Sequence, residues 1–491
     1  MLFNTSITRE RPESIGYPGG VLLLFPFILL CCLIGCTSSE EYEKRHKAPN
    51  IIFLLADDLG YGDLSCFGSA GIATPNIDAL AASGMRFNHF YAGSAVCSPS
   101  RASLLTGKFP LRFDIRRHLR DSVDHLPEEA ITLPELLQAS GYETCHIGKW
   151  HLGGLRLSDV ERRNNGEPAL PGPLQQGFHH YLTNIEGAPI RPALIKNRQL
   201  YREGGMTLLR NDERAPEVPD HWTELKVTEA IHWLSQVRAK DQPFFLNLWF
   251  DVPHTPYEPA PDPHLSKYRA MGVTGDQLLY RSMISHMDAQ IGRLIGYLKE
   301  NGLFEKTLVV FTSDNGPAYE GSPGPFSGGK ADLHEGGIRV PMFAVWDGNI
   351  PAGTISLQPT HMVDLLPTIA QLVGFEASNG VDGVDMSPIL LAERQRMDRP
   401  AMLWQMDLYD WAPYDGDKPT PFATGVVLDG QWKLLVDSLQ PTELINLHQD
   451  HRELYSMLEQ HPEKTDSLQQ LIRSFYEDER YSWRDVGLPL Y

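Results

Sequence analysis

Four short strand-like stretches punctuate this chain, three of them almost wholly apolar, and each gives way to charged or amide side chains. Ile51–Ala56 runs into Asp57-Asp58, and Tyr142–Ile147 into Gly148-Lys149-Trp150-His151. Phe244–Phe250 runs into Asp251-Val252-Pro253-His254, and Leu308–Thr312 into Ser313-Asp314-Asn315. Apolar runs of this length predict strands covered on both faces. Met85–Tyr91 and Met342–Trp346 read as two more strands. Helical spacing fills the intervals at Asn76–Ser83, Thr132–Ser140, Glu224–Ala239 and His361–Val373. The long amphipathic helix Gln277–Glu300 carries a buried stripe of Leu279, Met283, Met287, Ile291, Leu294 and Leu298, and Gly302 stops it.

Leu155–Pro219 has weak periodicity and much Pro, Gly and Asn, so a long surface excursion is expected there, of the kind that carries function. The composition shifts again near Ala392–Pro400. Beyond it come short alternating strands at Met402–Met406, Thr424–Leu428, Trp432–Val436 and Thr442–Asn446, with Asp429-Gly430 as a hairpin turn. Thr465–Phe475 closes the chain as a helix. The fold class that follows is α/β: a large mixed, mostly parallel sheet flanked by helices over residues 49–394, then a smaller α+β domain of antiparallel strands and a helix over 395–491.

Composition changes this picture little, because 42% hydrophobic and 21% charged residues in 491 are ordinary for a folded protein. Charge changes it more. A net charge of −19 argues against a nucleic-acid partner, and an anionic substrate must be drawn by a local pocket against the overall field.

Val21–Leu33 is an apolar run too short for a membrane span and suited to a signal-peptide core. It ends in Leu33-Ile34-Gly35-Cys36, which resembles the bacterial lipobox. The expectation is a signal peptide over 1–35, lipidation at Cys36 and a polar tether over 36–48. That describes an exported lipoprotein of the bacterial cell envelope, in the periplasm or outer membrane and held to the membrane by its lipid anchor; an ordinary secretory signal is the alternative. Cys66, Cys97 and Cys145 then remain, which makes no disulfide framework. Cys66 and Cys145 are assigned no role.

Cys97 has a more pointed context. Ser98 suits an N-cap, Pro99 the first helical position and Gly107 the stop, so Cys97 is expected at the mouth of a short helix that favours an anion. Arg101, one turn on, can reach the same spot. Taken singly, each candidate has a bland reading. A lone cysteine is more often buried packing, Asp57-Asp58 equally suits a turn, and His254 sits in a Pro-His-Thr-Pro turn. Lys149 and His151 flank Trp150 and would point to one side in extended chain. Together they are harder to dismiss, because an open parallel sheet brings the carboxyl ends of its strands to one edge. Three carboxylates and an amide there suit a hard cation, calcium or magnesium, while the lysines and arginine suit an anionic group. Such a site supports metal-assisted attack on a sulfate or phosphate ester.

The stretch Cys97-Ser98-Pro99-Ser100-Arg101, continued by Leu104-Leu105-Thr106-Gly107-Lys108, resembles the signature of the type I, formylglycine-dependent sulfatases of the alkaline-phosphatase-like superfamily. The resemblance spans roughly Pro49 to Arg480, with a paired Asp, Gly-Lys-x-His, Pro-His, Asp-Asn-Gly and a later Lys in unbroken order. It implies that Cys97 is oxidised to formylglycine by a formylglycine-generating or sulfatase-maturing enzyme. It implies that Asp57, Asp58, Asp314, Asn315 and the converted Cys97 hold calcium. By the same resemblance, Lys149 and Arg101 orient the formylglycine hydrate, His151 acts as the later base, and His254 and Lys330 contact the sulfate and its leaving oxygen. The hydrate attacks sulfur, a covalent sulfo-enzyme forms, and the second hydroxyl then expels sulfate. Asp332 and His334 are candidate substrate-pocket residues. The expected substrate is a sulfated saccharide, oligosaccharides of a sulfated polysaccharide. A phosphonate or phosphate-ester hydrolase of the same superfamily and a non-catalytic sulfated-glycan-binding lipoprotein are the competing readings.

Overall fold

The computed structural model describes residues 48–119, 125–184, 194–196, 199–201, 208–215, 221–375, 380–406, 425–437 and 439–477. Cys36, the signal peptide and all but the last residue of the tether lie outside the described residues. Among the described residues no helix is long and apolar enough to cross a membrane.

The strands, in chain order, are β1 (Asn50–Asp57), β2 (Met85–Phe87), β3 (Phe90–Tyr91), β4 (Glu143–Gly148), β5 (His180–Asn184) and β6 (Leu194–Lys196). Next come β7 (Gln199–Tyr201), β8 (Leu208–Arg210), β9 (Glu213–Ala215), β10 (Phe244–Pro253), β11 (Thr307–Ser313) and β12 (Met342–Val345). Two short ones, β13 (Thr354–Ser356) and β14 (Thr360–His361), precede β15 (Met402–Gln405), β16 (Gly425–Asp429), β17 (Trp432–Asp437) and β18 (Gln440–Asn446). The main sheet has ten strands in the order β13-β2-β12-β11-β1-β10-β4-β5-β8-β9. The four strands that end in polar clusters are therefore consecutive in it, and β11, β1, β10 and β4 pair in parallel.

Their burial shows why the runs are apolar at every position. Ile51, Phe53 and Leu55 pack into one core layer while Ile52, Leu54 and Ala56 pack into the other. β11 divides in the same way, Leu308 and Val310 against Val309 and Phe311. A strand whose side chains alternate faces, with helices on both, must be hydrophobic throughout. The helix Gly275–Glu300 covers one face with Tyr280, Met283, Ile284, Met287, Ile291, Leu294 and Leu298; Leu279 of the expected stripe is only partly buried.

Three expectations need correcting. Residues 155–219 are not only a surface excursion, because β5, β8 and β9 extend the main sheet beyond β4. Weak periodicity hid them because they are short and lie toward the edge of the sheet. Met85–Tyr91 is not one strand but β2 and β3, in different sheets. The helix expected over Glu224–Ala239 spans Trp222–His232 and ends in a π-helical turn, Trp233–Val237.

The C-terminal strands form a separate antiparallel sheet ordered β15-β16-β17-β18. One face carries the helix Pro462–Glu477, with Leu468 and Ile472 against Val427, Leu434, Val436 and Leu444. The other, through Met402, Trp404, Val426, Leu428, Leu435 and Ile445, packs on Ala95 and Val96 and on Leu333 and Ile338. The small sheet thus buttresses the segment just before Cys97 and the segment just after Lys330.

Candidate active site

β1 delivers Asp57 as its last residue, fully buried, and the chain turns at Asp58 through φ +63°. Aspartate tolerates that left-handed conformation better than most residues. The Asp58 N–H donates to Asp314 Oδ1 (3.2 Å), and Asn315 Nδ2 donates to Asp58 Oδ1 (2.8 Å). These bonds tie the exits of two neighbouring parallel strands together. Cys97 Sγ lies 3.5 Å from Asp57 Oδ1 and 4.0 Å from Asp58 Oδ1.

Cys97 is the first residue of its helix, Cys97–Thr106, and the N-cap is Val96 in extended conformation. The expected Ser98 cap and the Pro99 start are thus each displaced inward. The Ser98 hydroxyl instead accepts the Leu119 N–H (3.0 Å), while Ser100 Oγ accepts the Ser94 N–H (2.8 Å) and fixes the approach to the helix. Gly107 ends the helix in the left-handed region as expected (φ +65°). Every residue from Cys97 to Thr106 is buried.

Arg101 crosses the floor of the site. Its Nε and Nη2 donate to Asp314 Oδ2 (3.0 and 2.7 Å), Nη1 donates to the Lys149 carbonyl (2.8 Å), and Nη2 lies 3.5 Å from Asp57 Oδ2. Its guanidinium stacks over Trp249 at 4.9 Å. Lys149 Nζ donates to Asp57 Oδ2 (2.7 Å) and lies 3.6 Å from Cys97 Sγ. Trp150 is buried in the core, and His151 follows with φ +59°, so Lys149 and His151 do not share a side by strand alternation as expected; a left-handed turn redirects His151. His151 Nδ1 is buried and has no hydrogen-bond partner among the described residues. From the opposite side, Lys330 Nζ donates to Asp58 Oδ2 (2.8 Å) and His254 Nε2 lies 3.6 Å from the same oxygen.

The electrostatics follow from this crowding. Burial opposes the charge on Asp57, but Lys149, His254 and Arg101 hold its carboxyl well below the usual range. Asp314 is pushed up to about 6 by burial and by the charge on Asp57, despite Arg101. Burial, reinforced by Lys149 and Arg101, keeps His151 neutral. Burial raises the Cys97 thiol above its ordinary range, although Lys149 and Lys330 oppose this. An unmodified Cys97 is accordingly a thiol, not a thiolate nucleophile.

Ligand atoms of Asp57, Asp58, Cys97 and His254 all lie within 4.8 Å of one another. Asn315 Oδ1 adjoins them as a buried acceptor with no hydrogen-bond partner among the described residues. Two buried carboxylates held this close, with the unpartnered Asn315 Oδ1 beside them, fit a cation in addition to the donors that Lys149, Lys330 and Asn315 Nδ2 already supply to Asp57 and Asp58. Oxygen donors predominate, so a hard ion suits the group better once the soft sulfur is replaced by oxygen.

Asp332 and His334 stand apart from this centre and bind one another. His334 Nδ1 lies 2.6 Å from Asp332 Oδ1, and its Nε2 lies 3.4 Å from Glu443 Oε1 on β18. Beneath them runs a buried ion network that sequence reasoning missed. Lys433 Nζ of β17 meets Glu335 Oε1 (3.1 Å) and Glu453 Oε1 (2.7 Å), and Glu335 Oε2 accepts from Tyr91 Oη (2.9 Å) and Arg339 Nη1 (3.2 Å). Nothing in the sequence pairs Lys433 with a residue almost a hundred positions away. An isolated lysine within an apolar strand was the available signal.

A parallel sheet edge holding paired carboxylates, an amide, two lysines, an arginine and a neutral histidine around one buried side chain defines a hydrolase of anionic esters, and the architecture is alkaline-phosphatase-like. Residues 49–375 match the family model described as Sulfatase. N-acetylgalactosamine-6-sulfatase of Sus scrofa is 34% identical over 370 residues, covering 71% of this chain and 67% of the relative. Arylsulfatase A of Homo sapiens is 35% identical over 367 residues, covering 70% and 68%. The crystal structure of Ps i-CgsB superposes with a TM-score of 0.75 at 28% identity, covering 89% of this chain and 95% of that one. The phosphonate monoester hydrolase of Agrobacterium radiobacter shares the fold at a TM-score of 0.62 and 21% identity, covering 87% and 95%. The chain belongs to the sulfatase family and is a sulfuric ester hydrolase.

Proposed function

We propose that this protein releases inorganic sulfate from a sulfated saccharide, using formylglycine made from Cys97 and a bound calcium ion. The observation that carries the reading is the placing of Cys97 Sγ between Asp57 Oδ1 (3.5 Å) and Lys149 Nζ (3.6 Å), at a helix start. A saccharide substrate is supported by the names of the N-acetylgalactosamine-6-sulfatases and by the neighbouring Ps i-CgsB structure in complex with k-i-k-neocarrahexaose.

The hydrated aldehyde would supply the attacking oxygen that a buried thiol does not. Asp57, Asp58, Asp314, Asn315 and the modified Cys97 would hold calcium, and when bound it supplies Lewis-acid stabilisation of negative charge. Lys149 and Arg101 fix the position of the nucleophile and balance charge on that side. His151 is neutral, so its unpartnered Nδ1 can take up a proton. His254 and Lys330 face the site from the opposite side, where they can orient the sulfate and its leaving oxygen. Asp332 and His334, engaged with each other and with Glu443, shape the wall beside Lys330. We further assign the chain an envelope location through lipidated Cys36 and a separate C-terminal subdomain over 395–491.

The test joins peptide mass analysis at Cys97 with sulfate release from an aryl sulfate and from sulfated mono- and oligosaccharides of galactose, N-acetylgalactosamine and glucosamine. An aldehyde at Cys97, sulfate release from a saccharide, and no turnover by Cys97→Ala are expected. Steady multiple turnover by Cys97→Ala refutes the assignment. Faster cleavage of a phosphate ester than of the matched sulfate ester of one phenol favours the phosphohydrolase reading.

A further inference from the structure

A cavity of about 540 Å³ opens at the same edge of the sheet as the catalytic cluster, outside it. Its walls are the loop leaving β1 (residues 62–72), the loop leaving β11 (residues 320–325), and Gln277 and Arg281. β1 and β11 are parallel neighbours, so both loops emerge where Asp57, Asp58, Asp314 and Asn315 emerge. The helix Gly275–Glu300 follows the carboxyl end of β10 and leads to the amino end of β11, so its first turns lie at this edge too. The two loops touch backbone to backbone. Gly62 N donates to Ser322 O (2.9 Å), and a Cβ on Gly62 would come within 2.7 Å of Gly324 N.

The second loop carries an unusual residue. Tyr319 is 69% exposed and has φ +46°, at the first central position of a turn closed by Gly321 N donating to Ala318 O (3.0 Å). Glycine is the usual occupant of such a conformation, and a bulky side chain held there, with its ring in solvent, points to use by a ligand. Pro317 O on one side of this turn accepts the Lys330 N–H (2.8 Å), and Glu320 O on the other accepts from Gln277 Nε2 (2.8 Å). The turn therefore joins the Lys330 segment to the cavity wall.

The lining is chemically mixed. Arg281 Nε donates to Gln277 Oε1 (2.9 Å), which holds both planar groups against the cavity, and the Phe67 ring supplies an apolar surface. The Asp63 carboxylate is taken up by Tyr280 Oη (2.6 Å), Gly60 N (2.9 Å) and Ser322 N (3.1 Å). With Glu320 and Asp63 beside it, Arg281 leaves no net positive charge to draw a second sulfate. Planar amide, guanidinium and carboxylate groups pair with vicinal hydroxyls, and aromatic faces pack on the C–H faces of a pyranose.

We propose that this cavity, with the exposed Tyr319 next in the chain to its lining residue Glu320, is a second saccharide subsite that takes an uncharged pyranose unit attached to the sulfated one. The proposal rests on the saccharide reading above and adds to it a place where remote binding energy is gained. Binding of a non-reacting unit raises kcat/KM for the longer substrate alone.

The experiment compares kcat/KM for sulfate release from a sulfated monosaccharide and from a longer oligosaccharide of the same sugar, taken from the panel above. It uses the mature wild-type chain and its Tyr319→Ala, Arg281→Ala and Tyr319→Trp forms. The wild type is expected to prefer the oligosaccharide, and both alanine variants to lower the oligosaccharide-to-monosaccharide ratio at least roughly fivefold. Tyr319→Trp, which keeps an aromatic face, is expected to retain the preference. A smaller drop in both alanine variants, or a wild type without preference, overturns the subsite while leaving the sulfatase reading intact. Aryl sulfate turnover with no sulfate released from any saccharide overturns the saccharide reading and the subsite together.

Discussion

Lys433, on the C-terminal sheet, places its ammonium 3.1 Å from the Glu335 carboxylate, and both side chains are fully buried. Glu335 lies five residues after Lys330, so a charge on the small sheet fixes the segment that brings a cation to Asp58. Removing one partner of such a pair leaves an uncompensated buried charge, at a cost of about 3–5 kcal/mol. Lys433 is also the lysine that Glu453 meets, whereas Glu335 keeps Arg339; Lys433→Met is therefore expected to lower unfolding stability by that order, and Lys433→Met with Glu453→Gln to recover part of it. Equal stability of wild type and single variant in denaturant titration would show the pair to be dispensable.

Arg101 uses each of its three nitrogens, Nε and Nη2 on Asp314 and Nη1 on the Lys149 carbonyl, and its plane on Trp249. A lysine cannot reproduce that fork. Arg101→Lys should keep the fold by circular dichroism and lose roughly 10²–10³ in kcat, the scale of a missing oxyanion donor. Activity within about threefold of wild type would remove Arg101 from the machinery.

Chelation tests the cation. Asp57 and Asp58 are adjacent, buried and repel each other, so a bound ion stabilises the folded state by mass action. EGTA treatment should lower the melting temperature and abolish sulfate release, and added calcium should restore both. Asp58→Asn should require more calcium for the same effect. A melting curve and activity indifferent to chelator would contradict a bound calcium ion.

His334 offers a pH signature. Burial disfavours its charge, but hydrogen bonds to Asp332 and Glu443 raise it to about 10, with the negative charge of Glu453 acting in the same sense. A histidine raised from about 6.5 stabilises the folded state fully below that unfolded value, and the contribution is lost as pH rises through the folded one. The stability difference between wild type and His334→Gln should therefore be largest near pH 6 and shrink toward pH 10. Burial opposes the charge on Asp332, but its hydrogen bonds with His334 hold the carboxyl below the usual range, so Asp332 keeps one charge state through that window. A difference constant with pH would mean that the ring is held by packing alone.

How much of this was legible beforehand varies by element. β1, β10 and β11 were readable because a strand covered on both faces must be apolar at every position, and a hairpin near Asp429-Gly430 because Gly430 takes the left-handed turn position (φ +63°); Asp429 itself pairs with Trp432, so the two turn residues are Gly430 and Gln431. β5, β8 and β9 were not, since short strands toward a sheet edge need no such run. The Ser98 cap misled because a serine before a helical stretch has several possible acceptor roles, and here its hydroxyl serves Leu119.

By itself the order of residues determined the strands β1, β4, β10 and β11, the polar clusters that end them, and the Cys-x-Pro-x-Arg stretch, because these depend on local propensity and on chemistry carried within a few positions. Only the tertiary structure decided that β11, β1, β10 and β4 lie side by side, that Lys433 reaches Glu335, and that the loops leaving β1 and β11 enclose a cavity. Those relations join residues tens to hundreds of positions apart, and sheet pairing and packing set them, which no local pattern encodes.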